Sequence, residues 1–514
     1  MKKEIDIAIP AIDFENNLLL KKSIQAQLNI PKNKYFDFEI IKKSLDARGK
    51  IIKYQLKLNI FLDEKKEETN TSFYVDKNCS NQEEVHIIGA GPAGLFCALQ
   101  CIQVGLKPLV FERGKNVKDR RRDLAKLNKE GILNEESNYC FGEGGAGTYS
   151  DGKLYTRSNK RGDVLSVLQW LQHFGANERI LYEAHPHIGT NKLPQIIEAI
   201  REKIIECGGE IYFEYTLTDF DIVEEKIKSI TFNQQTKIDV KNVVLATGHS
   251  AADIYHLLHQ KKICLESKPF ALGVRVEHPQ AIIDTAQYKC NTRPEYLPPA
   301  SYSLVQQINE RGVFSFCMCP GGIIAPAATQ QNSLVVNGWS PSKRNNPFAN
   351  SGIVVSVNQS DYEQKNVLSA LAFQHTIEQK AFELGGGKFV APAMRLTDFV
   401  EKKYSNTLPL CSYLPGVKSA MLHDVLPTFV YDSLQKAFVE FGKKIKGYYT
   451  QEAIVVATES RTSSPVRIPR DKDTFRHVEI KNLYPCAEGA GYAGGIVSAA
   501  MDGMNIAKKI SEIK

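Results

Sequence analysis

Long hydrophobic runs are absent from this chain of 514 residues. None approaches the roughly 18 apolar residues of a transmembrane helix, so no membrane span is predicted. Residues 1–6 lack the apolar core of a signal peptide, and no CxxC pair organises the 11 cysteines. Disulfide scaffolds are far shorter than this chain. We therefore expect reduced thiols and a cytoplasmic protein.

A strong charge imbalance is also missing. The net charge of +7 and the pI of about 8.6 are mild for this length, and nucleic acid is not the first choice of partner. The densest basic run, Lys118–Arg122, is interpreted as a solvated helix face. His185 and His187 have no matching Cys, His or acidic cluster, so no metal site is assigned.

The length predicts two or three domains. Residues 1–80 are predicted to form a small N-terminal α/β (ferredoxin-like) module and linker, with strands near Glu4–Ile9, Tyr35–Lys42 and Ile51–Phe61 and a helix near Glu15–Leu28. The polar tract 63–81 is interpreted as the linker. The fold class is α/β. A Rossmann-like domain at 81–267 and 448–514 is interrupted by an inserted α+β substrate or cap domain at 268–447.

Within the inserted domain the pattern predicts both strands and helices. The predicted strands are Ala271–Val276, Gly312–Met318 and Ser333–Asn337, and the predicted helices are Asp361–Glu383 and His423–Phe441.

A glycine-rich turn follows the strand-like run Val85–Ile88. Residues 89–94 fit G-x-G-x-x-G, a helix pattern follows, and a second strand ends in Glu112. Gly89 permits the tight turn, Gly91 lets backbone N–H groups approach a pyrophosphate, and Gly94 allows close helix–strand packing. Glu112 is expected to bind ribose hydroxyls and to disfavour NADP. This combination predicts a dinucleotide site much more specifically than the glycines alone.

The later sequence separates FAD from NAD. Val243–Gly248 is a strand that ends in Ala-Thr-Gly, and Glu488 precedes a glycine turn and the apolar helix 496–508. The acid Glu488, the glycine turn and the helix start together form what we call the second glycine corner, which suits anions and hydroxyls. No strand with a ribose acid follows it, so it is not interpreted as a second dinucleotide domain. It is similar to the late segment of FAD enzymes of the glutathione reductase type.

Several longer segments resemble the bacterial FAD-dependent dehydrogenases, a group of NAD(P)/FAD-dependent oxidoreductases. They are 141–154, 271–279, 316–322, 459–467 and 488–495, and the likeness runs from about residue 35 onward. The resemblance implies the fold and FAD but not the substrate. Two positions depart from the pattern: Ala487 stands where Gly is expected, and Ala252 where Arg is expected.

These motifs give a set of candidate FAD-binding residues. They are Gly89, Ala90, Gly91, Pro92, Ala93, Gly94, Glu112, Arg113, Gly144, Gly145, Gly147, Thr148, Ser150, Asp151, Gly152, Lys153, Leu154, Leu217, Ala246, Thr247, Gly248, Glu488, Gly489, Gly491, Ala493, Gly494, Gly495 and Ile496.

Three cations are candidates for catalysis: Arg461, Arg467 and Lys153. A cation near the flavin stabilises the reduced, anionic ring or holds an acidic substrate. The competing interpretation of Arg461 and Arg467 is a surface ion pair with Glu459 or Asp471. Cys317 and Cys319 alternate on a strand pattern, and core packing is favoured over a redox pair.

The sequence therefore predicts an FAD-dependent oxidoreductase that passes hydride or electrons between FAD and a small organic molecule. Whether NAD(P)H is the donor is left open, and any nicotinamide is expected to bind only transiently. One alternative is a flavin-dependent partner in RNA or protein modification, recruited through the N-terminal module, in which Lys42–Arg48 is the most suggestive stretch. Another is a flavin-binding scaffold without turnover. The substrate and the oligomeric state are not predicted.

Overall fold

A parallel sheet is the centre of the nucleotide-binding unit. The computed structural model describes residues 2–31, 33–66, 77–156 and 162–513, so residues 67–76 of the predicted linker lie outside it. Five parallel strands pair in the order Leu483–Pro485, Val243–Leu245, Glu84–Ile88, Lys107–Glu112 and Glu210–Phe213. Numbered along the chain this order is 5-4-1-2-3, the Rossmann arrangement. The predicted parallel α/β sheet is confirmed.

The second large sheet has seven strands and is antiparallel except at one edge. Its strands pair in the order Val305–Ile308, Arg311–Cys319, Phe348–Val357, Phe270–Pro279, Ile454–Glu459, Ala391–Arg395 and Val417–Ser419. The strand Ile454–Glu459 belongs to this sheet although it lies beyond residue 447, the predicted end of the inserted domain. It pairs antiparallel with Phe270–Pro279, and both strands are buried.

The N-terminal unit is a three-stranded antiparallel sheet with one helix. Its strands are Lys2–Pro10, Phe36–Asp46 and Lys53–Leu62, with Lys53–Leu62 in the middle, and the helix is Asn17–Leu28. A ferredoxin-like unit has four strands and two helices. The described residues therefore form only a βαββ part of that predicted arrangement.

The N-terminal unit does not have a core of its own. Its buried isoleucines and leucines belong to one hydrophobic cluster with the seven-stranded sheet and the helix Thr428–Lys444. Lys43 exchanges backbone hydrogen bonds with Tyr182 and Ala184, at 2.7 and 2.8 Å, and its ammonium lies 3.3 Å from Glu183. Lys43, part of the stretch suggested as a recruiting surface, is thus engaged inside the chain.

The remaining elements complete the two larger units. Small antiparallel sheets pair Leu217–Val223, Lys226–Phe232 and Thr236–Asp239; Glu266–Ser267 and Val466–Arg467; and Ile323–Pro326 and Val336–Trp339. Besides the two already given, the α-helices are Pro92–Gln103, Val117–Glu130, Val164–His173, Leu193–Glu206, Ala252–Gln260, Gln280–Tyr288, Ser369–Gly385, Leu396–Glu401 and Ile496–Glu512.

Three of the predicted elements are displaced along the sequence. The strand predicted at 333–337 is observed at Val336–Trp339. The helix predicted from residue 423 begins at Thr428, and the helix predicted from residue 361 begins at Ser369. Asp361 closes a short capping turn with Asn358, and its carboxylate binds Arg311, so the chain turns here before the helix begins. Periodicity alone did not distinguish that turn from the helix.

One helix contact brings the ends of the nucleotide-binding unit together. The helix Ile496–Glu512 packs on Pro92–Gln103, and a Cβ on Gly503 would lie 2.1 Å from the carbonyl oxygen of Ala93. Only glycine permits this approach. The second glycine corner therefore lies next to the first glycine turn, although they are far apart in sequence.

Candidate functional site

A cavity of about 740 Å³ opens where the parallel sheet meets the seven-stranded sheet. Ligand pockets span roughly 300–1,000 Å³, so its size suits a cofactor. Its wall contains glycines of four separate segments: Gly89 and Gly91; Gly145, Gly147 and Gly152; Gly248; and Gly494 and Gly495. The cavity also lies at the carboxyl ends of the parallel strands, where open α/β sheets bind ligands.

The first glycine turn has the geometry of a phosphate-binding turn. Gly89 has a φ of +106°, and a Cβ on it would lie 2.5 Å from the carbonyl oxygen of Ala246. A Cβ on Gly94 would lie 1.9 Å from the carbonyl oxygen of Gly89. Gly91 is different, because its nearest neighbour would be Gly145 Cα at 3.9 Å. The helix begins directly after Gly91, without a side-chain cap, so its first N–H groups are available to an anion.

Glu112 holds three segments of the cavity wall together. One carboxylate oxygen accepts the N–H of Ala90, and the other accepts those of Gly114 and Gly142, all at 2.9 Å. The side chain is buried but still forms part of the cavity wall. Glu112 therefore fixes the glycine turn and the following loop, in addition to the ribose contact predicted for it.

Arg120 supports the loop 138–148, a role that the sequence analysis did not predict. Instead of lying on a solvated helix face, its guanidinium is fully buried and donates to the carbonyl oxygens of Asn138, Tyr139, Gly142 and Glu143. The surrounding run of basic residues concealed it, since its neighbours Arg121 and Arg122 are exposed. Arg120 holds the loop 138–148 over the glycine turn.

The second corner places an acid at the other side of the cavity. Glu488 lies 3.1 Å from His249 Nδ1 and accepts the N–H of Gly495, where the helix Ile496–Glu512 begins. Burial raises the pKa of Glu488, but the hydrogen bond from His249 lowers it by more. The pKa of Glu488 therefore lies below its usual value. His249 Nε2 is 2.9 Å from the carbonyl oxygen of Arg461. Both ring nitrogens face acceptors, and the ring donates to both only when it is protonated.

Arg461 lies in the cavity wall and is paired to an acid that the sequence did not indicate. Its guanidinium contacts both carboxylate oxygens of Glu378, at 3.0 and 3.2 Å, and donates to Thr329 Oγ1 at 2.7 Å. Glu378 is buried, and burial raises its pKa. The Arg461 charge and the hydroxyls of Ser333 and Ser460 reverse that effect, so the pKa of Glu378 lies below its usual value. The predicted surface pair with Glu459 or Asp471 is wrong.

Arg467 is not in the cavity wall. Its side chain is 40% exposed and lies 3.5 Å from Glu266, with the guanidinium over the ring of Tyr492. The short strand Val466–Arg467 pairs with Glu266–Ser267, which directs Arg467 away from the cavity. The structure therefore does not support the predicted place of Arg467 beside the flavin.

Lys153 enters the cavity wall together with Cys317. The ammonium nitrogen lies 3.9 Å from Cys317 Sγ and 3.6 Å from an oxygen of Asp151, and it donates to the carbonyl oxygen of Met318. Asp151 is also paired with Arg344 at 2.7 Å. Cys317 lines the cavity while Cys319 is buried behind it, so the favoured packing interpretation is wrong for Cys317.

Most of the predicted site residues are brought together in one wall. Those that line the cavity are Gly89, Gly91, Pro92, Ala93, Glu112, Arg113, Gly145, Gly147, Ser150, Asp151, Gly152, Lys153, Leu217, Ala246, Thr247, Gly248, Arg461, Glu488, Gly494, Gly495 and Ile496. Those behind the wall are Ala90, Gly94, Gly144, Thr148, Leu154, Gly489, Gly491 and Ala493, whose backbones or side chains support it.

The cavity wall also contains residues that were not predicted. They are Cys140, Phe141, Tyr155, Tyr215, Thr216, His249, Ser250, Asp253, Ser315, Phe316, Cys317, Asn337 and Thr462, among others. Of these, Phe141, Phe316, Cys317 and Thr462 lie in the motif segments already quoted from the sequence. The others reach the cavity through the pairing of distant segments, which leaves no local signal.

Comparison with known proteins assigns the chain to a family. Residues 269–462 match a family model described as FAD-dependent protein, C-terminal domain-like, and residues 1–61 match a domain of unknown function, DUF8436. An uncharacterized protein of Clostridium beijerinckii is 40% identical over 98% of this chain and 97% of its own length. The chain belongs to this family of FAD-dependent proteins.

For this family member, the predicted cofactor FAD is confirmed by the family model. The cavity fits that cofactor. A Cβ on Gly248, Gly494 or Gly495 would meet no heavy atom within 4 Å, which leaves open space along the wall. The N-termini of the helices Pro92–Gln103 and Ile496–Glu512 face the same cavity, together with the acids Glu112 and Glu488. The finer predictions of a dehydrogenase and of a glutathione-reductase-like family are not decided by these matches.

Solved structures of flavin enzymes are similar only at a distance. The tetracycline destructase Tet(51) has a TM-score of 0.34 at 10% identity, over 84% of this chain and 83% of its own. The flavin-dependent brominase Bmp2 has a TM-score of 0.36 at 12% identity, over 84% and 79%. Similarities this distant assign neither a common fold nor a common chemistry.

Two further features are absent from the described residues. In the described part of the chain, no helix is both long and apolar enough to cross a membrane. The same residues contain no group of three or more His, Cys, Asp or Glu side chains placed to hold a metal ion.

Proposed function

We propose that this protein is an FAD-dependent oxidoreductase that passes hydride or electrons between FAD and a small organic molecule. The observation that carries the proposal is the cavity itself. A phosphate-binding turn, two helix N-termini and two acids lie at its nucleotide side, while thiol, ammonium and guanidinium groups from the loop and the seven-stranded sheet lie opposite. FAD supplies the two-electron chemistry, and the protein positions and tunes it.

In this proposal the residues have separate tasks. The turn at Gly89–Gly91 and the start of the helix Pro92–Gln103 bind the pyrophosphate, and Glu112 binds the ribose. Glu488 and the start of the helix Ile496–Glu512 bind the ribityl side. The cavity-facing residues of the seven-stranded sheet close the flavin end and exclude water. NAD(P)H, where it is the donor, binds transiently at this end.

The experiment is anaerobic reduction of the purified protein with NADH, NADPH and dithionite, followed by a metabolite screen for reoxidation. We expect a yellow protein that releases FAD on denaturation. A flavin that dithionite reduces but no metabolite or nicotinamide reduces or reoxidises would favour the scaffold interpretation. A colourless protein that cannot be reconstituted with FAD would contradict the proposal.

The cation Lys153 gives a quantitative test of tuning. A charge-assisted hydrogen bond contributes about 1.5–3 kcal/mol, and for a two-electron couple about 1.4 kcal/mol corresponds to roughly 30 mV. Lys153→Met should therefore lower the flavin potential by roughly 30–60 mV, measured by photoreduction against a reference dye. Arg467→Met is the matched control, because Arg467 lies outside the cavity wall. Equal potentials for wild type and Lys153→Met would exclude this role.

A further inference from the structure

Two cysteines of one strand form an unusual arrangement at the cavity. Cys317 has a φ of +45°, a left-handed conformation that non-glycine residues rarely adopt. The pairing of Arg311–Cys319 with Phe348–Val357 shifts register between Phe316 and Cys319. Bulges of this kind occur next to active sites, where they redirect a side chain. Here the bulge puts Cys317 in the cavity wall, with Cys319 buried behind it.

The distorted backbone is held by specific contacts. The carbonyl oxygen of Cys317 accepts Arg275 Nη2 at 2.7 Å and the Cys319 thiol at 3.2 Å. Arg275 is fully buried and paired with Glu459 at 2.8 Å. Strained conformations persist where the surroundings determine them, and they cluster at functional sites.

The two sulfur atoms are neighbours, and cations lie on both sides of them. Cys317 Sγ is 4.0 Å from Cys319 Sγ and 3.9 Å from the Lys153 ammonium nitrogen, and Arg275 Nη2 is 3.5 Å from Cys319 Sγ. The negative groups nearby, Asp151 and Glu459, are each paired with an arginine.

This environment shifts the pKa values of the two thiols in opposite directions. The hydrogen bond from Cys319 lowers the pKa of Cys317 well below its usual value, and Lys153 and Arg275 add to this against burial and Asp151. The same hydrogen bond and burial raise the pKa of Cys319. A thiolate beside a second thiol is the arrangement that thiol–disulfide exchange requires.

We propose that Cys317 and Cys319 are a redox-active dithiol whose substrate is a small disulfide. The Cys317 thiolate attacks one sulfur of the substrate, the substrate S–S bond breaks, and one thiolate leaves. Cys319 then loses its proton and attacks Cys317 Sγ, the mixed disulfide breaks, and the second thiolate leaves. The substrate gains two electrons and becomes two thiols, while the dithiol loses two electrons and becomes the Cys317–Cys319 disulfide. Lys153 is a positioning residue for the thiolate.

The inference rests on the proposed function for the electrons that restore the dithiol, but the exchange itself is measured without turnover. Trypsin releases the peptide 312–343, between Arg311 and Lys343, which contains Cys317, Cys319 and no other cysteine. Holoprotein is treated with 2-hydroxyethyl disulfide, a small neutral disulfide. We expect the peptide to lose two hydrogens in mass, with two thiols released per chain.

The single-cysteine variants separate the two steps. Cys319→Ser should stop at the mixed disulfide on Cys317, and Cys317→Ser should give neither product. A wild-type peptide that stays reduced, or a Cys319→Ser chain without the mixed disulfide, would overturn the proposal.

Limited alkylation with iodoacetamide tests the thiolate. At mildly acidic pH, Cys317 should react before Cys264, a half-buried cysteine outside the cavity whose pKa is raised by burial. Lys153→Met should raise the pKa of Cys317 and slow its alkylation about tenfold for each pKa unit of that rise. Lys153→Arg should restore the rate. Equal rates at Cys317 and Cys264, or no effect of Lys153→Met, would reject the inference. Flavin content and anaerobic flavin reduction are measured on the same samples. A reducible flavin together with an unreactive Cys317 would contradict the dithiol inference and leave the proposed function intact.

Discussion

At the scale of single residues, Gly494 offers the cleanest test of the cofactor cavity. A Cβ there would meet no heavy atom within 4 Å, and its backbone is not left-handed, so Gly494→Val does not strain the chain. The new side chain occupies the cavity instead. Overfilling of a packed site costs about 1–3 kcal/mol, so FAD affinity should fall about 5- to 150-fold, as measured by fluorescence titration of the apoprotein.

The control for Gly494→Val is Gly49→Val. Gly49 lies in the N-terminal unit outside the cavity wall, and its added Cβ would make only ordinary contacts, the nearest at 3.6 Å. That variant should retain FAD. Unchanged affinity in Gly494→Val would show that FAD does not lie along this wall.

The pair Glu378–Arg461 predicts a large effect on stability. Arg461→Met leaves a buried carboxylate without its charge partner, which costs about 3–5 kcal/mol. The double variant Arg461→Met/Glu378→Met removes both charges and should recover most of that loss. Urea unfolding followed by circular dichroism measures both. Arg467→Met, at a half-buried side chain with only a surface ion pair, should change the free energy of unfolding by at most about 0.5 kcal/mol.

The same pair also predicts a pH dependence. The folded-state pKa of Glu378 is depressed below its ordinary value of 4.5. Its stabilising contribution is therefore complete above that ordinary pKa and is lost as pH falls through the folded-state value. As pH drops below about 4.5, wild type should therefore lose stability relative to the double variant, which has no carboxyl at this position. A difference that stays constant on acidification would contradict this assignment.

At the scale of elements, Arg120 fixes the loop that covers the glycine turn. Its removal leaves the carbonyl oxygens of Asn138 and Tyr139 without donors, and each unsatisfied buried group costs about 1–3 kcal/mol. Arg120→Met should therefore lower the free energy of unfolding by about 3 kcal/mol or more and weaken FAD binding. Differential scanning calorimetry with and without added FAD measures both effects.

Arg121→Met and Arg122→Met are the matched controls, since these neighbours lie exposed on the same helix. Both should change the free energy of unfolding by at most about 0.5 kcal/mol. If Arg120→Met were equally mild, the loop would depend on other contacts, such as Glu143 with Arg201.

At the scale of the whole molecule, the described residues contain one parallel sheet with one complete dinucleotide unit. The second glycine corner serves the same cavity as the first. We therefore expect one FAD per chain and no tightly held NAD(P). Chromatography of the nucleotides released on denaturation measures this ratio, and stoichiometric NAD(P) beside FAD would refute it.

The sequence by itself determined the features that local backbone conformation fixes. The strand, the turn at Gly89–Gly94, the following helix and the acid Glu112 form within one short segment, because the tight turn and the helix start need particular residues at fixed spacing. The second corner at Glu488 follows the same local rules. For this reason the parallel sheet and the cofactor FAD could be predicted from the sequence alone.

Only the tertiary structure decided which charged and thiol groups meet. Arg461 and Glu378 are 83 residues apart, and Lys153 and Cys317 are 164 apart. Their pairing depends on how the two sheets pack, and no sequence period encodes that. The same holds for Arg120, which looks like its exposed neighbours until the loop closes over it. Burial turns these ordinary residues into functional ones, because only a buried charge or thiol depends so strongly on its partner.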